Sequence, residues 1–134
     1  MSRENVEFAR RWWAGCNEQG LPPLELCDEQ IEIRNPDEFP VVGPYLGHEG
    51  VRQWASDVFE VIDDPRTDVE AVVETGDGET FVWVLKTTGR WKHTQLTGAG
   101  FDWAAIMTVR RGKVIRAQGY LKKEKALEAA GLRE

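Results

Sequence analysis

One amphipathic helix, predicted at residues 48–63, constrains this chain more than any other feature of its sequence. Its apolar side chains recur at steps of three and four residues, which places them on one face of a helix. Polar side chains occupy the other face, and the apolar face consists of Val51, Trp54, Ala55, Val58, Phe59 and Ile62. A helix that carries a tryptophan and a phenylalanine on one side needs a concave apolar surface. We therefore expect a curved sheet to wrap around it.

The segments before this helix are predicted to form two helices and a strand. The first helix begins at Ser2 and ends within residues 17–20, and its apolar side chains share one face. Leu21–Cys27 is a short helix with two prolines in its first turn, where proline is tolerated. Glu29–Asn35 alternates apolar and polar side chains, as a half-buried strand does.

Four strands and a closing helix follow the central helix. Thr67–Glu74 alternates in polarity, Thr80–Thr87 and Phe101–Val109 are apolar on both faces, and Val114–Leu121 is the last strand. Lys122–Leu132 is the closing helix. This order predicts an α+β domain with helices packed on one face of a curved antiparallel sheet.

The outer face of this sheet also needs a cover, because its central strands are apolar on both faces. Val82, Val84, Ala104 and Ile106 would form an apolar patch on that face. With no helix left over to cover the patch, we expect a second copy of the chain to do so. The sequence therefore predicts a homodimer.

Composition excludes several classes of partner. The chain of 134 residues is expected to be one domain, residues 1–134, large enough to bury a core without disulfides. A net charge of −6 argues against nucleic acid as a partner. No apolar run approaches the length of a membrane span, and the first residues do not form a signal peptide. We expect a cytoplasmic protein in which Cys16 and Cys27 are free thiols.

Three stretches, taken in order, resemble one family. They are Tyr45–Val51 at the start of the central helix, the hairpin segment Ala104–Val114, and the ending Tyr120–Leu132. All three are similar to the SnoaL-like branch of the nuclear transport factor 2-like superfamily, which includes polyketide cyclases and ketosteroid isomerases. The resemblance implies a conical, cystatin-like barrel: a curved antiparallel sheet wrapped around three N-terminal helices, plus a short C-terminal helix. It also implies a pocket between the sheet and the helices.

The same resemblance places neutral residues where the family's enzymes have acids and bases. Asn35 stands where ketosteroid isomerases have a general-base aspartate, and Ala105 where they have a protonated aspartate. The charged positions of the epoxide hydrolases correspond to Phe81, Trp83 and Gly119. Catalysis is therefore left open; if it occurs, the resemblance implies acid–base chemistry of the isomerase, cyclase or hydratase type.

An aromatic-lined pocket is one reading of the six tryptophans, and a core filled by them is the other. In the first reading, alanine and glycine leave space inside the cone and aromatic rings wall it. The predicted ligand contacts are then Trp13, Asn35, Tyr45, Trp54, Phe81, Trp83, Phe101, Trp103, Ala105 and Gly119.

Two of these residues are weak candidates for a catalytic role. Asn35 and Tyr45 would orient a carbonyl group or a water molecule by hydrogen bonding. Asn35 precedes a proline, so an alternative role is that of a turn residue bonded to its own backbone. His93 has no neighbouring cysteine and no paired histidine, so we predict neither a metal site nor a cofactor.

These observations predict a SnoaL-like domain whose pocket takes a small hydrophobic molecule of polyketide, steroid or terpene type. The competing interpretation is a non-catalytic domain for ligand binding or dimerisation, with a tryptophan-filled core. An enclosed cavity of roughly several hundred Å³ in the structure would favour the first.

Overall fold

A computed structural model describes residues 3–92 and 100–132 of the chain. Within these residues three α-helices and six strands follow one another. Their bounds are α1 Arg3–Gln19, β1 Cys27–Arg34, β2 Tyr45–Leu46, α2 Gly47–Val61, β3 Ile62–Glu74, β4 Thr80–Trp91, β5 Phe101–Arg110, β6 Lys113–Tyr120 and α3 Lys123–Ala129.

The six strands form one sheet in the order β2-β1-β6-β5-β4-β3. The α+β class predicted from the sequence is confirmed. The sheet is mixed, however, and not antiparallel throughout, because β1 runs parallel to β6. The long stretch of chain between these two strands carries α2 and the rest of the sheet, which gives it the length that a parallel connection needs.

Two local elements differ from the sequence prediction. The expected helix at Leu21–Cys27 is only a single 3₁₀ turn, Leu24–Leu26, and Cys27 already belongs to β1. Strand β3 begins at Ile62, directly after α2, and not at Thr67. Strand β2 has two residues and falls below the length at which alternation is visible in a sequence.

A bulge in β3 changes which of its side chains enter the core. Val69 pairs with Leu85, but Ala71 and not Glu70 follows it in the pairing, so one residue is extra. Val72 therefore lies opposite Trp83 and is 1% exposed. The sequence alternation had placed Ala71 and Val73 on the same face as Val69.

The core lies between the sheet and the helices α1 and α2. Toward the start of β4, the Trp83 ring packs on Trp12 and Phe8, with ring centroids 6.0 and 6.2 Å apart. Further along, Trp13 makes edge-to-face contacts with Trp54 at 6.3 Å and Trp103 at 5.7 Å. Such pairs are favourable by roughly 0.5–1.5 kcal/mol beyond their burial.

The outer face of the sheet is covered from within the chain. Val82 and Ala104 have no exposed surface, and they form a second apolar cluster with Ala126 of α3. This corrects the premise of the dimer prediction, in which no helix was left for this face. Ile106 packs at the edge of the same cluster, and Val84 is half-buried.

Candidate functional site

A small cavity lies between α1, α2 and the strands β3, β4 and β5. Its volume is about 60 Å³. Most of the lining is aromatic or aliphatic, and the rest is polar but uncharged. The lining consists of Trp13, Cys16, Asn17, Gly20, Asn35, Pro36, Phe39, Trp54, Ala55, Val58, Phe59, Ile62, Pro65, Thr67, Thr87, Phe101 and Trp103.

The structure divides the ten predicted ligand contacts into two sets. One set lines the cavity and consists of Trp13, Asn35, Trp54, Phe101 and Trp103. The other set lies elsewhere and consists of Tyr45, Phe81, Trp83, Ala105 and Gly119.

Strand register explains most of this division. Trp83 pairs with Ala105, and Ala105 pairs with Gly119, so the three form one row across the sheet. The cavity lies further along the strands, at the row where Thr87 pairs with Phe101. The sequence therefore identified the inward-facing positions, but it placed the free space in the wrong row.

The space expected beside Gly119 is filled. A Cβ atom on Gly119 would lie 2.8 Å from Cδ of Pro36, so the proline ring occupies the volume that a larger side chain would need. Phe81 and Trp83 border a separate surface groove next to Phe8. Neither Phe81 nor Trp83 lines the cavity.

Tyr45 ties β2 to α2 and is not part of the cavity lining. Its hydroxyl donates to a carboxylate oxygen of Asp57 at 2.7 Å, and the side-chain amide of Gln53 donates to the other oxygen at 2.8 Å. Burial, together with the bond to Asp57, raises the pKa of the Tyr45 hydroxyl.

Asn35 uses both atoms of its side-chain amide in hydrogen bonds. Its carbonyl oxygen accepts the indole N–H of Trp54 at 2.9 Å, and its amide donates to the backbone oxygen of Val41 at 2.9 Å. Its backbone N–H donates to Val42. Asn35 therefore lies in the cavity wall and also holds the loop that follows it, through a bond to Val41 and not to its own backbone.

A pair of threonines supplies the other polar part of the wall. The hydroxyl oxygens of Thr67 and Thr87 are 2.7 Å apart, and the indole N–H of Trp103 donates to Thr87 at 2.7 Å. Both threonines are nearly fully buried. Sequence reasoning missed them, although a threonine on the apolar face of each of two neighbouring strands was a usable signal.

Trp13 borders the cavity and carries a donor that has no described partner. Its side chain is 7% exposed, and its indole nitrogen is buried without a hydrogen-bond partner in the described part of the chain. Buried donors of this kind are rare in native structures. The contacts of Trp13 with neighbouring rings provide at most a weak N–H···π interaction.

Comparison with known proteins identifies the family. Residues 9–117 match the SnoaL-like domain. The chain belongs to the SnoaL-like domain family. A search among curated proteins finds no match.

Solved structures share the fold of this SnoaL-like domain. An NTF2-like protein from Burkholderia xenovorans LB400 is 27% identical, with 97% of each chain covered and a TM-score of 0.70. A protein with a ketosteroid isomerase-like fold from Catenulispora acidiphila DSM 44928, in complex with trimethylamine, is 16% identical; 95% of this chain and 94% of that one are covered, with a TM-score of 0.67. The epoxide hydrolase/cyclase-like enzyme SalBIII, described in pyran ring formation in the polyether salinomycin, is 13% identical; 90% and 92% are covered, with a TM-score of 0.68.

The described lining of the SnoaL-like domain carries one ionisable side chain, the thiol of Cys16. Burial raises the pKa of this thiol, so it stays protonated at neutral pH. His48 lies outside the lining, where its Nε2 atom is 2.9 Å from the carbonyl oxygen of Cys27 and ties α2 to β1. The cavity wall, as described, offers hydrogen bonds but no group that exchanges a proton near pH 7.

The described part of the SnoaL-like domain has neither a metal-binding cluster nor a membrane-spanning helix. Among residues 3–92 and 100–132, no three His, Cys, Asp or Glu side chains form a group that would hold a metal ion. None of the helices in this part of the chain combines the length and the apolar character needed to cross a membrane. His93, considered above for a metal site, lies outside the described residues.

Proposed function

We propose that this SnoaL-like domain binds a small, flat, uncharged hydrophobic molecule in the cavity beside Trp13, Trp54 and Trp103. The observation that carries the proposal is the lining itself, in which aromatic rings surround a space with no charged side chain among the described residues. Apolar walls with a few fixed polar groups are the usual composition of small-molecule sites. A charged ligand would lose its hydration there without gaining a counter-ion.

The cavity has to widen for most ligands. A volume of about 60 Å³ is well below the roughly 300–1,000 Å³ of typical small-molecule sites. Phe59 lines the cavity and is 41% exposed, so its ring can rotate toward solvent with little loss of buried contact. The half-buried Phe39 lines it as well. We propose that these two rings move when a ligand enters.

The ligand class follows from the family and its relatives. A cyclase-like enzyme acting in polyether formation shares the fold, and the family name and the aromatic lining together favour a polyketide-, steroid- or terpene-like compound. Turnover of the ketosteroid isomerase type needs a carboxylate that moves a proton between two carbons. The resemblance places Asn35 at that position, and its side-chain amide donates to the backbone oxygen of Val41. We therefore propose binding without this isomerisation.

Calorimetric titration with indane tests the binding. Indane is flat, apolar and small, and we expect it to bind with a measurable dissociation constant below its solubility limit. Ala55→Leu should abolish the binding, because Ala55 lines the cavity and a leucine there would fill it. The matched control is Ala129→Leu, on an exposed position of α3, which should leave the affinity unchanged.

Two results would contradict the proposal. Absence of indane binding would support the tryptophan-filled core, and unchanged binding by Ala55→Leu would place the ligand outside the cavity. Isomerisation of a Δ5-ketosteroid by the unmodified protein, measured by absorbance of the conjugated product, would contradict binding without turnover. A ligand carried through purification and identified by mass spectrometry would name the natural compound.

A further inference from the structure

We propose that the cavity recognises the carbonyl oxygen of an uncharged ketone or quinone through the hydroxyl pair Thr67/Thr87, with the Trp13 indole N–H as a second donor. This inference rests on the proposed function, since it concerns a ligand in the same cavity. It adds the polar group that the ligand must carry and the side chains that select it.

A count of hydrogens shows that the threonine pair has a donor to spare. The two hydroxyls carry two hydrogens, and the bond between Thr67 and Thr87 uses one of them. The indole N–H of Trp103 donates its own hydrogen to Thr87, so this bond uses neither hydroxyl hydrogen. Whichever threonine donates within the pair, the other keeps a hydroxyl hydrogen with no acceptor among the described residues.

The pair is held rigidly. Thr67 and Thr87 lie directly opposite each other on β3 and β4. Asn17 of α1 fixes the backbone of Thr67 from the other side, donating to its carbonyl and accepting from its N–H, each at 2.8 Å. A donor held in this way loses little freedom when a ligand binds, so more of its hydrogen-bond energy appears as affinity.

Trp13 is the independent second observation. Its indole N–H is buried and has no partner in the described chain, and Trp13 borders the same cavity as the two threonines. A buried N–H is normally paired in native structures, and this one has no acceptor among the described residues, so an atom of a ligand could serve as its acceptor. The threonines line this small space, and the Trp13 ring borders it.

The kind of ligand group follows from these donors. A carbonyl oxygen accepts up to two hydrogen bonds and donates none, which matches a site with spare donors. A carboxylate or phosphate would accept the same bonds but would bring a charge into a lining that, as described, has no cation to balance it. A hydrocarbon would leave the donors unpaired.

The test compares two ligands with one carbon skeleton, indane and 1-indanone, in which one CH₂ group is replaced by C=O. We expect the wild-type protein to bind 1-indanone about three- to tenfold more tightly than indane, by calorimetry. In the double variant Thr67→Val/Thr87→Val this preference should disappear or reverse, because the carbonyl would be desolvated without a donor. Thr88→Val, next in sequence but outside the lining, is the matched control and should keep the preference.

A second measurement gives its main result on the unmodified protein, and that result does not depend on the folding of a variant. The infrared carbonyl stretch of bound 1-indanone should lie below its value in hexane if the oxygen accepts hydrogen bonds. Trp13→Phe should shift the band part of the way back.

The outcomes separate this inference from the proposed function. Binding of indane with no preference for 1-indanone, or with a carbonyl band unchanged from hexane, would overturn the inference and leave the proposed function standing. A preference that survives the double variant would also overturn it. Binding of neither compound would overturn both.

Discussion

Asn35, which the resemblance places at a catalytic position of the family, has a structural role in this domain. Its amide distinguishes between two neighbours, since the oxygen accepts from Trp54 and the nitrogen donates to Val41. A carboxylate can accept from Trp54 but cannot donate to a carbonyl oxygen. Holding both neighbours therefore depends on the side-chain amide. The aspartate that the resemblance would place there does not fit, because it cannot donate to Val41.

Asn35→Asp tests that dependence. At pH 7 we expect the variant to lose about 1–3 kcal/mol of stability, because two oxygens would face each other at Val41. Burial raises the pKa of a carboxyl group, and its protonated form regains a donor. The stability that the proton provides is present at low pH and lost as the pH rises through the raised pKa. Urea unfolding at pH 4.5 should therefore show a smaller deficit than at pH 7.

Asp37→Asn, on an exposed position of the same loop, is the control and should change stability by less than about 0.5 kcal/mol. A deficit in Asn35→Asp that is equal at both pH values would show that the carboxylate finds another donor.

The two thiols give the protein a predictable response to alkaline pH. Burial raises the pKa of Cys27 to about 12 and also raises that of Cys16, from a model-compound value of 9.0. A raised pKa in the folded state contributes stability below pH 9, and that contribution is lost as the pH rises from there. We expect the urea midpoint to fall between pH 8 and pH 10.5, and to fall less in a Cys16→Ala/Cys27→Ala variant.

Thiol reactivity offers a separate check. In the native protein at pH 8, Ellman's reagent should label neither cysteine within minutes, and both should react in urea. Fast labelling of Cys16 without denaturant would mean that the cavity admits the reagent.

At the scale of elements, the periodicity of the sequence predicted the α-helices and the inward faces of the central strands. It did not predict how the strands pair. The inward faces of β4 and β5 follow from alternation and are confirmed, as are α1 and α2 to within a few residues. The parallel pairing of β1 with β6 and the bulge at Val69 depend on contacts between distant segments, which no local pattern encodes. The position of the cavity could not be predicted, because it depends on where Pro36 lies relative to Gly119.

Helix α3 was predicted from the sequence without a packing partner, and the structure gives it one. Ala126 is fully buried against Val82 and Ala104, whereas Ala129 on the same helix is exposed. Ala126→Glu should therefore lower stability by about 3 kcal/mol, since it brings a carboxylate into an apolar cluster. Ala129→Glu should change it by less than about 0.5 kcal/mol. Thermal unfolding followed by circular dichroism measures both, and equal effects would indicate that α3 is detached in solution.

At the scale of the whole molecule, the homodimer stays a prediction, and fewer exposed apolar residues support it than the sequence suggested. Of the four residues expected to face a partner, Val82 and Ala104 are buried within the chain. Val84 and Ile106 retain some exposed surface. A partner would have to contact this remaining part of the face together with α3.

Sedimentation at micromolar concentration tests the association. We expect a dimer, with Val84→Lys shifting it to a monomer without loss of helix content. Val82→Lys is the contrasting variant and should destabilise the fold itself, because Val82 has no exposed surface. A wild-type monomer would remove the prediction and leave α3 as the sufficient cover of the outer face.

The three indoles around the cavity differ in a way that makes each of them a separate reporter in solution. Trp54 donates to an amide oxygen, Trp103 donates to a hydroxyl, and Trp13 donates to no described group. Their indole protons should therefore resonate apart in a proton NMR spectrum and exchange with deuterium at different rates. Lifting the loop that Asn35 holds would speed the exchange of the Trp54 proton alone. A carbonyl compound entering the cavity would instead move the Trp13 resonance downfield, so one spectrum would tell the opening of the cavity from its occupation.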